Sequence, residues 1–158
     1  MIANLDLLRA PRVYVQTDEL QLLTISVADQ EFGVDILKVQ QILVSTEQVR
    51  LPDAPGVINF RGRIIPLFDL KEVFKLPFES QAESKVIIVV GNNHRTFGLI
   101  GDRVNDLIHL PESKLFKPSQ LDASEMYKFL QAVGKVSQRT ILVLDLSKLI
   151  DTHEINRD

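Results

Sequence analysis

The sequence of 158 residues contains no cysteine and no tryptophan, and only two of its residues are tyrosine. The absence of cysteine excludes disulfide bridges and thiolate chemistry. The scarcity of large aromatic side chains argues against a stacking platform for nucleic-acid bases and against a groove for proline-rich peptides. The longest aliphatic run is Val86–Val90, whereas a membrane-spanning helix needs about 20 apolar residues. We therefore expect neither nucleic-acid binding nor direct membrane insertion.

Neither positively nor negatively charged residues are in large excess. The chain has 18 lysine and arginine residues against 21 aspartate and glutamate residues, which gives a net charge of −3 and a pI near 5.6. A chain with this balance has no overall field that attracts nucleic acid. The first residues include an early acid, Asp6, and no long apolar core, which is not the pattern of a secretory signal. These features predict a cytoplasmic protein.

Patterns of catalytic and metal-binding residues are absent as well. The three histidines, His94, His109 and His153, do not have the spacing of metal ligands. No serine stands in a G-x-S-x-G elbow, and no phosphate-binding loop is present. Asp69 and Asp145 each precede a predicted helix at equivalent positions of an internal repeat, so both are interpreted as helix caps rather than as paired catalytic carboxylates. We expect no enzyme activity, no metal site and no cofactor.

Hydrophobic patterning predicts an all-β chain with short helices. The helices are predicted to begin at Asp69, continuing to Leu76, and near Asp145. Strands are predicted over Leu20–Val27, Phe32–Ile42 with an interruption near Leu37-Lys38, the two arms of a hairpin within Gly56–Leu70, Lys85–Val90, Thr96–Ile100, Arg103–Leu110, Tyr127–Val136 and Thr140–Leu144.

The two halves of the sequence repeat each other. Phe32-Gly33-Val34 corresponds to Phe97-Gly98-Leu99 at an offset of 65 positions, and Ile65–Leu70 corresponds to Ile141–Leu146 at an offset of 76. Two copies of one strand-rich unit, each ending in an aspartate-capped helix, predict two packed small SH3-like β-barrels related by pseudo-two-fold symmetry. Each unit is small, so we expect the two to share buried surface.

The repeat sets the expected domain organisation. Residues 1–18 are interpreted as an N-terminal arm, and residues 19–150 as one domain. Within it, the first barrel unit is placed at about 20–76 and the second at about 85–150. The polar segment between them is the predicted linker, and residues 151–158 are the predicted C-terminal tail.

The segment Gly56–Leu70 reads as two apolar strands joined by a turn at Gly62. It places Arg61 at the tip of a hairpin, where a guanidinium group is held in solvent beside apolar strands. The equivalent positions of the second repeat are Ser137 and Gln138, so the fold itself does not require an arginine there. We therefore interpret Arg61 as a recognition residue.

Several segments closely resemble the CheW-like domain, the coupling adaptor of bacterial chemosensory arrays. They are Phe32–Ile42, the step Leu51-Pro52, Gly56–Leu70 and the later Phe97-Gly98-Leu99 with Asp102-Arg103-Val104. Within Gly56–Leu70 the pattern G-V-I-N-[LF]-R-G-x-I-[IV]-P is the specific element. The resemblance runs from about Leu20 to Ile150.

The resemblance implies the function of the chain and its partners. Such a chain is a non-enzymatic adaptor that links the cytoplasmic tips of methyl-accepting chemoreceptors to the regulatory domain of the histidine kinase CheA. It works at membrane-associated receptor arrays, where further copies of the adaptor are also candidate partners.

The resemblance also implies a receptor-binding groove that contains Val39, Gln41, Gly56 and Arg61. The chain departs from the family at Gln41, where relatives usually carry a glutamate that pairs with the arginine equivalent to Arg61. An exposed ion pair adds only about 0.2–1 kcal/mol, so we expect the glutamine to change partner choice more than stability.

Two other functions stay open from the residues alone. One is an SH3-like protein- or peptide-binding module outside chemosensing. The other is a small β-barrel enzyme, which would need a pocket containing acids of perturbed pKa. A pulldown with CheA separates the adaptor from both.

Overall fold

The computed structural model describes residues 19–45, 56–77, 85–92, 94–118 and 125–155 of the chain. For residues 125, 126 and 153–155 only the backbone is described. The predicted N-terminal arm, most of the predicted linker and the end of the predicted tail lie outside the described residues.

The described residues form eleven β-strands and two α-helices. The helices are α1 (Leu70–Val73) and α2 (Leu146–Ile155). Short 3-10 turns cover Ile36–Lys38, Glu112–Lys114 and Glu125–Phe129. The strands are β1 (Leu20–Val27), β2 (Gln30–Asp35), β3 (Val39–Val44), β4 (Gly56–Phe60), β5 (Arg63–Asp69), β6 (Val86–Asn92), β7 (Arg95–Gly101), β8 (Arg103–Leu110), β9 (Leu115–Phe116), β10 (Leu130–Val136) and β11 (Arg139–Leu144).

The strands assemble into two sheets. Sheet I has the order β8-β1-β2-β11-β10-β9, and sheet II has the order β3-β6-β7-β5-β4. Neighbouring strands are antiparallel except for β2–β11 in sheet I and β5–β7 in sheet II, which are parallel. Each sheet combines strands from both predicted units, 20–76 and 85–150, so neither unit forms a sheet by itself.

The pairing registers of the two sheets repeat each other at the offsets seen in the sequence. A β-bulge interrupts the register at equivalent places, in β1–β8 of sheet I and in β3–β6 of sheet II. Three strand pairs of sheet II have counterparts in sheet I: Val39–Val90 matches Val104–Ile25, Ile42–Ile88 matches Leu107–Leu23, and Gly56–Leu67 matches Ala132–Val143. The predicted pair of small barrels related by an internal repeat is therefore confirmed.

The buried apolar side chains form three groups. The largest lies between the sheets, and it takes residues such as Phe32 and Val34 from sheet I and Phe97 and Leu99 from sheet II. The opposite face of each sheet encloses a smaller cluster of its own. In sheet I this cluster contains Leu22, Leu110, Ala132, Ile141 and Val143, and in sheet II it contains Ile65, Leu67, Ile87, Val89 and Ile100.

Two predicted elements differ from the structure. The segment Tyr127–Phe129 is part of a 3-10 turn rather than the start of a strand, and Phe129 packs its ring edge-on against Phe74. Helix α1 ends early because Lys75 has a left-handed φ of 52°. The N–H groups of Lys75 and Leu76 donate to the carbonyls of Glu72 and Lys71, which is the hydrogen-bond pattern of a Schellman C-cap.

Candidate protein-binding site

The β4–β5 hairpin contains the segment that the sequence singles out. Its strands pair in one register from Gly56–Leu67 to Phe60–Arg63. The turn residues have φ of 52° at Arg61 and 80° at Gly62, the positive values that a two-residue turn between antiparallel strands needs. The side-chain oxygen of Asn59 accepts a hydrogen bond of 3.0 Å from the Gly62 N–H. Glycine adopts such a φ without steric cost, so Gly62 sets the turn that carries Arg61.

Arg61 is exposed at this turn. The carbon of its guanidinium group lies 4.9 Å from the centroid of the Phe60 ring, a cation–π contact worth about 0.5–1 kcal/mol at an exposed site. Among the described residues the guanidinium has no hydrogen bond or ion pair. Its donors are therefore available to an acceptor on another molecule.

The outer face of the hairpin is apolar although it is uncovered. Val57 is 49% exposed and Ile64 is 64% exposed. Val57 pairs with Pro66, and cross-strand partners share a face of the sheet. Ile64 is two residues from Pro66 on β5, so its side chain lies on the same face as that of Val57. The alternate residues Ile58 and Phe60 face the other way and pack on the sheet II cluster. Exposed apolar surface of this kind, beside a free cation, is typical of a protein-binding site.

The other predicted groove residues lie on β3, at the opposite edge of sheet II from β4. Val39 is buried, with only 1% of its surface exposed, and belongs to the core between the sheets. Its side chain therefore supports β3 and does not line a surface. Gln41 is half-buried. Leu43 of the β3 edge packs on the same cluster as Ile58 of the β4 edge, so both edges border one core.

Asp69 and Asp145 each stand at the N-terminus of a helix. The Asp69 carboxylate accepts a hydrogen bond of 3.0 Å from the Lys71 N–H. The Asp145 carboxylate accepts one of 3.0 Å from the Lys148 N–H. These are the contacts of N-cap residues.

A second polar cluster, which the sequence did not reveal, lies in sheet I. We call Thr24, Glu31, Asp106 and Arg139 the carboxylate network. The Arg139 guanidinium donates to Glu31 Oε1 at 3.0 Å and to Asp106 Oδ1 at 2.8 Å. Thr24 Oγ1 donates to the Asp106 carboxylate at 2.5 Å. These contacts join residues up to 108 positions apart, so they leave no local sequence pattern. The one signal in the sequence is that Glu31 and Asp106 have no acidic residue at the equivalent positions of the other repeat.

Protonation in the carboxylate network is governed by Arg139. Burial tends to raise the pKa of Glu31, but hydrogen bonds from Arg139 and Asn105 and the charge of Arg139 outweigh it, so the pKa lies below 4.5. The hydrogen bond from Arg139 lowers the pKa of Asp106 below 3.8 against a smaller opposing effect of burial. Hydrogen bonds to the two carboxylates raise the pKa of Arg139. All three groups are therefore charged at neutral pH.

Residues 21–154 match the family of CheW-like domains. The chain belongs to the CheW family. Two similar proteins are the chemotaxis protein CheW of Klebsiella aerogenes and that of Thermotoga maritima. The first is 29% identical over 85% of this chain and 84% of its own length. The second is 27% identical over 84% of this chain and 89% of its own length.

A solved CheW structure has the same fold. The crystal structure of the scaffolding protein TtCheW from Thermoanaerobacter tengcongensis matches with a TM-score of 0.65 at 25% identity, over 79% of this chain and 88% of that one. Family and fold together identify this CheW-family chain as a non-enzymatic scaffold of chemotaxis signalling.

Two further findings concern membrane-spanning helices and metal sites. No helix within the described ranges is long and apolar enough to cross a membrane. The same ranges contain no group of three or more His, Asp or Glu side chains placed to hold a metal ion.

Proposed function

We propose that this chain couples the cytoplasmic tips of methyl-accepting chemoreceptors to the regulatory domain of a CheA-type histidine kinase. It would act by binding alone, at receptor arrays on the cytoplasmic side of the membrane. The observation that carries the proposal is Arg61, an exposed guanidinium on a rigid turn beside two exposed apolar side chains, in a chain of the CheW family.

The surface suits a helical partner. A helix docks by laying an apolar stripe against an apolar surface while its polar residues meet charges at the rim. Val57 and Ile64 supply the apolar surface, and Arg61 supplies the rim charge. Gly56, half-buried at the base of the hairpin, allows the helix to approach because it has no side chain. Gln41, on the other edge strand β3, is included in the proposed receptor site on the family resemblance alone.

The kinase would bind a different part of the molecule. Its contacts would fall on the barrel ends, chiefly in the second half of the chain. A scaffold with two separate surfaces can hold receptor and kinase at the same time. An SH3-like module outside chemosensing is not favoured, since similarity to chemotaxis proteins extends over most of the chain.

The first prediction tests the receptor surface by pulldown of a chemoreceptor-tip fragment. Gly56→Asp and Arg61→Ala should each abolish retention of the fragment, because one blocks approach to the hairpin base and the other removes the rim charge. Both variants should keep the unfolding midpoint of the wild type, since neither side chain is part of a buried cluster. Both should also retain the kinase regulatory domain.

The matched control is Ser137→Ala. Ser137 has a φ of 55° in the equivalent turn of sheet I, so this change tests a hairpin tip with the same geometry on the other barrel. It should bind receptor tips normally. Normal binding by both Gly56→Asp and Arg61→Ala would show that the receptor docks elsewhere.

A further inference from the structure

Asp102 lies where the chain passes from sheet II to sheet I, between β7 and β8. Although it is an acid, it is buried. Its N–H donates to the Ser26 carbonyl at 2.9 Å, and its Oδ2 atom accepts a hydrogen bond of 2.8 Å from the Ala28 N–H. Asp102 therefore fixes the start of β8 to the end of β1 and to the turn between β1 and β2.

The other carboxylate oxygen of Asp102 binds helix α1. The Asp102 Oδ1 atom lies 3.1 Å from Lys71 Nζ, and each of these two side chains is only 11% exposed. Solvent ions screen such a buried pair much less than an exposed one. Lys71 belongs to α1, which follows β5 without an intervening residue. One carboxylate thus connects the end of β5 in sheet II to β1 and β8 in sheet I.

The end of β5 is also the base of the hairpin that carries the proposed receptor surface. Within the described chain, β5 pairs with β7 over residues 67–69, whereas residues 63–66 pair with β4 alone. The hairpin therefore extends beyond a three-residue contact with the rest of its sheet. Ile58 and Phe60 seat its inner face on the sheet II cluster, and α1 joins its base to sheet I.

The internal repeat gives Lys71 a counterpart on α2. The offset of 76, which takes Arg63 to Arg139 at the starts of β5 and β11, takes Lys71 to Ser147. The hairpin β10–β11 leads into α2 as the hairpin β4–β5 leads into α1. Serine has no charge, so the hairpin base of sheet I has no ion pair at this position.

Ser147 is nevertheless connected to the other crossing of the chain between the sheets. Its Oγ atom accepts a hydrogen bond of 2.8 Å from Asn92 Nδ2, and Asn92 Oδ1 accepts one of 2.9 Å from Lys38 Nζ. Lys38 lies between β2 of sheet I and β3 of sheet II. Each helix is therefore bound to one crossing, α2 through a neutral amide and α1 through a buried ion pair.

We propose that Lys71 and Asp102 position the β4–β5 hairpin relative to sheet I, so that a receptor tip meets a surface of fixed orientation. The inference rests on the proposed function, which places the receptor on this hairpin. Neither residue touches the partner; both act through β5. A surface that is already held in its bound arrangement loses less entropy on binding than a mobile one, so the ion pair increases affinity without contributing a contact.

The experiment combines hydrogen–deuterium exchange of residues 56–69 in the full chain with affinity for a chemoreceptor-tip fragment. The double variant Lys71→Met with Asp102→Asn removes both charges, so it leaves no unpaired carboxylate in the interior. The asparagine oxygen still accepts from the Ala28 N–H. Exchange in residues 56–69 should become about tenfold faster, and the fragment should bind about five- to tenfold more weakly. Exchange in the β10–β11 hairpin should stay at the wild-type rate.

The matched control is Ser147→Ala, which removes the equivalent contact of α2 and should change neither the exchange of residues 56–69 nor receptor affinity. Asp102→Asn alone loses only the charge and should act in the same direction as the double variant, to a smaller extent. It provides the test if the double variant does not fold.

Three results would overturn the positioning role: wild-type exchange in residues 56–69, equal acceleration in both hairpins, or faster exchange with unchanged receptor affinity. Equal acceleration is the outcome expected of a pair that serves global stability alone. Failure of the wild-type chain to bind the fragment would instead contradict the proposed function. The exchange comparison needs no receptor, so the two failures are distinguishable.

Discussion

At the scale of single residues, the two sheets differ in the partners of one arginine position of the repeat. Arg139 is held by Glu31 and Asp106, and its role is to tie β11 to β2 and β8. Arg63, its counterpart, has no such partners among the described residues. The same arginine position thus forms two internal ion pairs in sheet I and none within the described part of sheet II.

The carboxylate network predicts how stability depends on pH. The pKa values of Glu31 and Asp106 are lower in the folded chain than their ordinary values of 4.5 and 3.8. A lowered carboxyl pKa contributes stability that is complete above the ordinary value and is lost as the pH falls through the folded value. We therefore expect the free energy of unfolding to drop below about pH 4.5, as measured by urea denaturation between pH 7 and pH 3.

Arg139→Gln provides the comparison for that measurement. It should lower the free energy of unfolding at pH 7 by about 1–2 kcal/mol, between the values for exposed and buried pairs, because Arg139 is 36% exposed. It should also flatten the acid dependence that the network contributes. Lys135→Gln, an exposed change on β10, should do neither. An unchanged pH profile in Arg139→Gln would mean that other carboxyl groups cause the acid dependence.

The residue-level features that could be predicted from the sequence are those that depend on neighbouring residues. The turn at Gly62 and the aspartates ahead of the helices follow from φ preferences and capping, which depend on nearby residues. The burial of Val39 and the contacts of Arg139 depend on strands distant in the sequence. Neither could be predicted without the arrangement of the sheets.

At the scale of elements, both parallel strand contacts depend on a glycine in the strand interior. Gly33 lies opposite Val143 in sheet I, and Gly98 lies opposite Leu67 in sheet II. A Cβ atom added at Gly98 would lie 2.6 Å from Leu67 Cδ2 and 2.9 Å from Ile87 Cγ2. These distances are too short for carbon atoms, so glycine is what allows the packing at this position.

We expect Gly98→Ala to lower the free energy of unfolding by about 1–3 kcal/mol, the usual cost of overpacking a core. Thermal unfolding followed by circular dichroism measures the effect. Thr96→Ala on the same strand is the control, because Thr96 is only half-buried. A Gly98→Ala variant as stable as the wild type would show that Leu67 and Ile87 can move aside.

Strand positions were largely predictable because alternation and apolar runs are local signals. Leu20–Val27 was predicted with the bounds that the structure has. The short strand β9 and the turn Glu125–Phe129 were not predicted. The strand has only two residues, and the turn packs Phe129 against Phe74, a contact between residues far apart in the sequence.

At the scale of the whole molecule, the sheets and the sequence repeats do not coincide. Sheet I takes β1 and β2 from the first repeat and its other strands from the second. Sheet II takes β6 and β7 from the second repeat and its other strands from the first. The repeat could be predicted from the sequence, but this exchange of strands could not. The same repeat offsets are expected whether each barrel is formed by one repeat or by strands of both.

The exchange predicts that the two halves fold only together. Fragments 19–77 and 85–155, expressed separately, should show no cooperative thermal transition, since each lacks strands of both sheets. Expressed together, they should associate and unfold in one transition. Circular dichroism and size-exclusion chromatography measure both properties. Cooperative unfolding of either fragment alone would contradict this prediction.

The parallel contact between β2 and β11 also dictates an order of events during translation. Phe32 emerges from the ribosome early, whereas its neighbour Leu142 is synthesised more than a hundred residues later. The nascent chain must therefore carry unpaired strand edges for most of its synthesis, the condition under which polypeptides attract chaperones or aggregate.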